Sequence, residues 1–516
     1  MGAVILVEIE VTSPTGVAST LRFSDRAIRP FPPTDGLRPN VRFDARLKES
    51  PAIRRLLFDD LATLKPSRGV GALTLSNADR ALSPYEGHAW GEITVLRWIE
   101  GTPSASAAVI LRGLCAQPAY PPAAGRPAQV RVALGDYSAE ASNPVQPTLY
   151  AGSNSETVLY EGTAEALKDT PKPLAFGDLR QAHIPAPQVN AAEQAHQLHD
   201  GQVQGEVALF DRGDAFGLVD DGDLAGAAFD AATPAAAHSV TDLGRGLVKF
   251  NGAPIGQFTV GFKGDAAGGY VETAGPVLER LLLRAKILPG RIGASVGALA
   301  APAVIGFYAD AVTRLEDALA FVAAGAPAAV LPDREGVWQA IAFGPPAADA
   351  DFALGDHQVI ACSADETSPA PVGEVRIGWG RIWRTFTAAE LAAELVGADA
   401  QARLAAEYRW AKAEDVVVKQ RFAGTARTVE VLTALRELAP AEALAAKLLS
   451  LFGLKADGRP RRFWRVTVPV EVLLAHKLGE TCAFTYAPEG ISGHFLLVGE
   501  EPLRPSRDQG VWTLWG

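Results

Sequence analysis

Apolar and polar residues alternate with period two through most of the first 135 positions, the pattern of strands with one buried face. Residues 4–12 and 17–24 are two such runs. The turn sequence Ser13-Pro14-Thr15-Gly16 lies between them, so the pair predicts a hairpin. Residues 41–47 alternate in the same way, and further strands are expected at 72–76, 93–99, 108–112 and 129–133. Together they predict an antiparallel β-domain over residues 1–135.

The alternation then breaks. Residues 160–213 carry Pro171, Pro173, Pro185 and Pro187, which fix φ and remove amide donors. Gly162, Gly177, Gly201 and Gly213 mark turns. Leu167, Leu174, Phe176, Ile184 and Val189 supply apolar anchors. A stretch this long that is neither polar enough for disorder nor periodic predicts an ordered functional loop or a domain junction. With short strands expected at 207–210, 246–250 and 257–262, residues 136–272 form a Pro/Gly-rich connecting region.

Near Thr273 the period changes. Leu278, Leu281, Leu282 and Ala285 follow helical spacing up to Pro289-Gly290. A second helix is expected from Thr313, with Glu316 completing a capping box and Leu315, Ala318, Leu319 and Val322 on one face. A hairpin over 328–331 and 337–342 turns at residues 333–336. Residues 273–345 thus predict a small α+β domain. Beyond it, 374–379 reads as a strand. Thr387 and Glu390 suggest another capping box, opening an Ala-rich helical region to about Trp410. A last helix spans 440–452, with Leu444, Leu448, Leu449 and Phe452 on one face and Gly453 as its stop. Strands at 463–468, 480–485, 495–498 and 511–514 close the chain. Residues 346–516 form a helix-containing second β-domain. The fold class expected is therefore α+β, β-rich and multidomain. Its two β-rich ends permit two related β-domains built from distant parts of the chain.

Composition adjusts this picture only slightly. The hydrophobic content of 48% and charged content of 21% are ordinary for a globular chain. Gly 50 and Pro 36 favour many turns. A net charge of −11 argues against a nucleic-acid grip, which needs a basic face. Cys115, Cys362 and Cys482 are odd in number and far apart, so buried free thiols made in a reducing cytosol are expected. The N-terminal apolar run lacks a basic flank and reads as a strand, not a signal peptide. No apolar run is long enough for a membrane helix.

Candidate chemistry is sparse. Residues 293–297 match G-x-S-x-G around Ser295, but Pro289 and Pro302 deny it the strand and long helix of a nucleophile elbow. His357, His476 or His494 could follow it in order only, so a short turn or helix is expected there. His196, His199 and Asp200 form H-x-x-H-D with no third ligand close by, which favours a polar turn over zinc. Asp220, Asp221 and Asp223 resemble the start of a calcium loop. Ala225 and Ala232 stand where positions 5 and 12 need oxygen ligands, so a solvated acidic turn is expected. No two of the 59 acids are singled out as a glycosidase pair. Trp338, Trp379, Trp464, Trp512 and Trp515 lie in or beside apolar strands and predict packing roles. No catalytic residue, cofactor or metal ligand is expected.

Four stretches resemble the tail hub (baseplate hub) proteins of long-tailed phages, prophages and phage-like particles. They are L-V-E-I-E-V with L-R-F-S-D, P-N-V-R-F-D-A-R-L and G-A-L-T-L-S-N-A-D; Y-E-G-T-A-E-A-L-K-D-T-P-K-P-L-A-F-G with H-D-G and F-D-R-G; V-I-G-F-Y-A-D-A-V-T-R-L-E-D-A-L-A-F-V; and L-L-S-L-F-G with G-V-W-T-L-W-G. The resemblance covers essentially the whole chain in order. It implies two tube-like β-barrel domains per chain, with the small α+β domain and Pro-rich region between them. It also implies a homotrimer at the virion tail tip, assembled in the host bacterial cytoplasm. That homotrimer would present a pseudo-sixfold ring matching the six-fold tube or distal ring to a three-fold tip. Implied partners are the distal tail protein ring, the tape measure protein and a central tail fibre or tip protein, with phage DNA passing through the lumen without specific binding. Residues 160–213 are then expected to be an ordered arm or strap, anchored by Leu174 and Phe176 and touching a neighbouring subunit. A cell-wall-degrading enzyme of the virion and the distal ring protein are the alternatives.

Overall fold

The structure is a computed structural model and describes residues 2–58, 65–121, 128–155, 157–365, 370–503 and 508–516. The fold is β-rich with short helices, as the alternation predicts. The chain divides into two compact units. The first joins Met1–Ala141, Ala328–Ala370 and Leu454–Gly516; the second joins Ser142–Pro327 and Pro371–Gly453. This division cuts across the four-part expectation. Residues 273–327 lie in the second unit and 328–345 in the first.

The first unit holds the hairpin Ala328–Pro332 and Trp338–Ala342 and two large sheets. One has eight strands in the order Asp44–Ala45, Ala18–Ser24, Ala3–Thr12, Ala89–Ile99, Ala108–Cys115, Gln129–Asp136, Ala72–Ser76 and Leu47–Glu49. The other also has eight: six run in the order Phe352–Leu354, Thr481–Tyr486, Ile491–Leu503, Gln509–Trp515, Phe463–Pro469 and Ala361–Ala364, and Ile53–Leu56, itself paired with Ser67–Val70, joins Ile491–Leu503 off this path. Inward residues of both, among them Ile9, Val95, Val132, Val466, Phe484 and Trp512, form one continuous core. Near its start the first sheet is buried on both faces. Phe31 and Phe43 cover Val4, Leu6, Leu96 and Trp98, so residues 4–7 are all buried instead of alternating. The strand expected at 41–47 is in fact two short strands, for a reason given below.

In the second unit, Leu174–Gly177 pairs antiparallel with Gly306–Ala309. Leu174 and Phe176 are fully buried, and Phe176 packs between the rings of His199 and Phe307. Gly177 has φ +74, and a Cβ there would meet the Ile305 carbonyl oxygen at 2.0 Å, so only glycine lets the strands approach. Leu174 and Phe176 thus anchor residues 160–213 as expected, by packing in this unit's own core, while residues 163–166 and 168–170 stay exposed. The prolines of residues 160–213 interrupt the strands at Leu174–Gly177, Gln188–Asn190, Ala195–Gln197 and Val203–Asp211 without removing them.

Two helix starts differ from expectation. The helix near Thr313 begins at Leu315 with Arg314 as its cap, because the Thr313 hydroxyl instead donates to the Ala311 carbonyl at 2.8 Å. Glu390 does accept from the Thr387 amide and hydroxyl, at 2.7 and 2.9 Å, but the bonds close a turn, and helix appears only further on, as the short turn Ala393–Leu395 and then Asp399–Ala405. Leu391, Leu395 and Leu404 fold back on Ile382 and Phe386. The only α-helix here is Asp399–Ala405, and Trp410 belongs to the strand Arg409–Glu414. The last helix is as expected, Leu438–Phe452, and the Gly453 amide closes it on the Leu449 carbonyl at 2.8 Å.

Candidate functional site

The distinctive feature of the first unit is how its sheets end. In the first sheet, Asp44–Ala45 pairs parallel with Ala18–Ser24 at one edge, while Leu47–Glu49 pairs antiparallel with Ala72–Ser76 at the other. Arg46 alone separates these two edge strands. The chain thus leaves one edge and joins the other within a residue, bending the sheet into a nearly closed barrel. The bend is held by the Ser76 amide on the Arg46 carbonyl at 2.7 Å and by Arg46 bidentate on Asp79 at 2.7 and 2.8 Å. It also explains why the run 41–47 breaks.

The second sheet uses the same device at the ends of its six-strand path. Phe352–Leu354 pairs parallel with Thr481–Tyr486, Ala361–Ala364 pairs antiparallel with Phe463–Pro469, and only residues 355–360 lie between. Two sheets from opposite ends of the chain therefore share one mode of closure: parallel at the first edge, antiparallel at the second. No repeat in the amino-acid sequence signals it.

A buried ionic junction ties the sheets together. The strand Ile53–Leu56 leaves the N-terminal half of the chain and pairs with Ile491–Leu503 of the second sheet. It carries Arg55, 1% exposed, into the interior. The guanidinium lies 4.0 Å from Asp136 of the first sheet and 4.0 Å from Glu500 of the second, held by charge more than by direct hydrogen bonds. Burial lowers its pKa, and the two carboxylates oppose that shift. Arg334 enters from the turn of the hairpin Ala328–Pro332 and Trp338–Ala342. It donates to Glu500 at 2.6 Å and to the carbonyls of Leu473, Leu474 and His476 at 3.0, 3.0 and 3.1 Å, capping the helix Val470–Ala475. Its own carbonyl accepts the Arg112 amide of the first sheet at 2.8 Å. A second link runs from Arg97, in the first sheet, to Asp508 at 2.7 Å and Glu471 at 3.1 Å. The junction's acids are matched by arginines, so the arrangement suits holding two sheets in register better than moving protons.

The motifs singled out in the sequence fall elsewhere. Ser295 sits in the one-turn helix Ala294–Gly297 of the second unit, whereas His357, His476 and His494 belong to the first. His196 and His199 are buried, not on an exposed turn. His196 Nδ1 bonds the Ala186 carbonyl at 2.9 Å; His199 Nδ1 accepts the Ala175 amide at 3.0 Å and its Nε2 meets Asp265 at 3.2 Å. Asp220, Asp221 and Asp223 lie on the exposed strand Val219–Asp223, where Asp221 pairs with His238 at 2.7 Å and Asp223 accepts the Leu243 amide. Among the described residues no group of three or more His, Cys, Asp or Glu side chains is placed to hold a metal. Nor is any described helix long and apolar enough to cross a membrane. The three cysteines are free, but only Cys482 is fully buried. Trp338, Trp512 and Trp515 are core residues.

Neither a family model nor a curated protein matches the chain. Solved structures similar to it include the tail protein from Neisseria meningitidis MC58, at 9% identity and TM-score 0.43 over 100% of this chain and 97% of that one. Another is the 43 kDa tail protein of prophage MuSo2 from Shewanella oneidensis, at 10% identity and TM-score 0.38 over 98% of each chain. A third is prophage tail protein gp18 from Listeria monocytogenes EGD-e, at 8% identity and TM-score 0.32 over 100% of this chain and 94% of that one.

Nothing in the sequence alone marks Arg55, Asp136, Arg334 and Glu500 as a set. The weak signal available is for the second link: Arg97 interrupts the run of buried strand positions Val95, Leu96 and Trp98. A charge in such a run must find a partner.

Proposed function

We propose that this chain is a structural tail hub protein of a phage or phage-like particle. Three copies would stand at the tail tip, joining a six-fold tube or distal ring to a three-fold end and forming part of the DNA channel. The observation that carries the reading is the pair of sheets closed by one device within a single chain. Three such chains present six similar barrels, which is what an adaptor between six-fold and three-fold symmetry requires. The four sequence stretches that resemble tail hubs support it independently. Expected neighbours are the distal tail protein ring, the tape measure protein and a central fibre or tip protein.

The role is structural and not enzymatic. Three chains carry 3 × (−11) = −33 formal charge, and an acidic lumen would keep DNA from adhering, since phosphate binding needs Lys and Arg. The test is the copy number and position of the chain in assembled tails, read from a cryo-electron microscopy map. Three copies at the tip are expected. Six copies would identify a distal ring protein instead, clearing of peptidoglycan in a zymogram would identify a lytic enzyme, and a strongly basic lumen would overturn the charge argument.

A further inference from the structure

One sheet of the second unit exposes large apolar side chains. The strands Arg409–Glu414, Val372–Trp379 and Arg427–Leu432 form a three-stranded sheet in that order. The helix Leu438–Phe452 packs on Val372–Trp379 and Arg409–Glu414, and Val375, Ile377, Ala411, Val429 and Val431 of the sheet are buried, as are Leu444 and Leu448 of the helix. The other side is open. Its register places Gly378 between Trp410 and Leu432, and Arg376 between Lys412 and Glu430. Trp410 and Leu432 are each 47% exposed. A Cβ on Gly378 would meet the Leu432 side chain at 2.8 Å and the Tyr408 ring at 3.3 Å, so the glycine lets both close over the strand. The result is an apolar and aromatic patch at one end of a polar sheet face.

The rest of the face is a charge ladder. Arg376 pairs with Glu374 at 2.6 Å and Glu430 at 3.0 Å; Lys412 and Lys419 each pair with Glu414 at 2.9 Å; and Lys419 also closes on Glu374. Three cations meet three anions, so the face is formally neutral on a chain of net charge −11.

We propose that this face is a self-association surface, receiving a second copy of the same chain with Trp410 and Leu432 as its anchors. Two copies that each carry −11 repel through most of their surface. They approach at least cost where one presents a neutral, internally paired patch, and tryptophan is among the residues most enriched at interface hot spots. The inference rests on the homotrimer proposed above and names one of its contact surfaces.

The test is sedimentation of the full-length chain over a concentration series, for the unaltered protein and for Trp410→Glu and Leu432→Glu. Ile255→Glu, at a position 79% exposed elsewhere in the same unit, is the control. Circular dichroism and Tm establish that each variant folds. The expected result is a trimer for the unaltered chain and the control, with self-association weakened roughly tenfold or more in both face variants. Hydrogen exchange should gain protection over 408–414 and 427–432 on association. A trimer whose formation neither variant changes, or whose protection lies elsewhere, overturns this surface and leaves the hub reading standing; a different partner on this face would give that result. An unaltered chain that is monomeric or hexameric throughout overturns the trimer itself.

Discussion

The two units differ in which buried polar groups are most open to disturbance. At the heart of the first are arginines with carboxylates, Arg55 and Arg334 against Asp136 and Glu500. The second buries ion pairs too, Lys249 with Glu193 at 2.7 Å and Asp242 with Arg245 at 2.6 Å, but adds neutral histidines to them. His183, His196 and His199 lie within one stretch of the chain, and burial lowers the pKa of each. A matched ion pair is insensitive to mild acid but intolerant of losing a member. A buried neutral imidazole tolerates substitution by a polar isostere but not a proton. The first unit should therefore fail by mutation and the second by pH.

The largest effect expected is that of Arg55→Met. It leaves Asp136 and Glu500 buried with less counter-charge and should cost the first unit about 3–5 kcal/mol, the usual result of breaking a buried pair from one side. Hydrogen exchange should show lost protection over 89–115 and 491–515, with 247–265 in the second unit unchanged. The double variant Arg55→Met/Asp136→Leu should recover part of the loss, since it removes one stranded charge as well. Equal protection in the unaltered protein and Arg55→Met would mean the junction is ornamental.

Acid should give the next largest effect, in the other unit. Burial, reinforced by the positive charges of Arg403 and Arg436, lowers His183 from its ordinary 6.5 to about 4. Its Nδ1 meets the Thr259 hydroxyl at 3.2 Å, and its ring packs on Phe210 and Phe386. The folded state favours the neutral ring. That stability is fully present above pH 6.5 and is lost as pH falls toward about 4. The gap corresponds to ~3 kcal/mol for one proton. Denaturation midpoints of the second unit should fall across this window, and His183→Asn should flatten the fall. A slope unchanged in that variant would assign the acid response to other groups.

This contrast also shows what could be read from the chain. Strand positions were legible wherever one face is buried and one is wet, because alternation is then a direct image of burial. That holds for Gln129–Asp136 and fails for Val4–Val7, which Phe31 and Phe43 cover from outside. Closure of the sheets was not legible. It depends on Arg46 sending the chain from one edge to the other, and a single-residue bend has no periodicity. The ionic junction was hidden for a related reason. Its members lie at positions 55, 136, 334 and 500, and only folding brings them together. In the second unit, prolines made core strands look like a connector. Pro173 stands immediately before the buried strand Leu174–Gly177, a place where proline is tolerated.

The smallest effect concerns a helix that the capping rule missed. Asp415 accepts the amides of Val417 and Val418 at 2.9 and 3.1 Å and so starts the helix Val416–Arg421. Three consecutive valines give that segment poor helix propensity, since β-branched residues lose rotamer freedom in a helix. With poor propensity and six residues, the helix depends on its cap, on buried Val418 and on the ion pairs of Lys419. Asp415→Ala should cost about 1 kcal/mol, and Asp415→Asn much less, because asparagine caps nearly as well. Hydrogen exchange over 416–422 is the appropriate measurement, since the loss is local. If Asp415→Ala leaves that exchange unchanged, the charge ladder and not the cap holds the helix. The second unit would then depend on paired charge as the first does, and the contrast between them would narrow to the histidines alone.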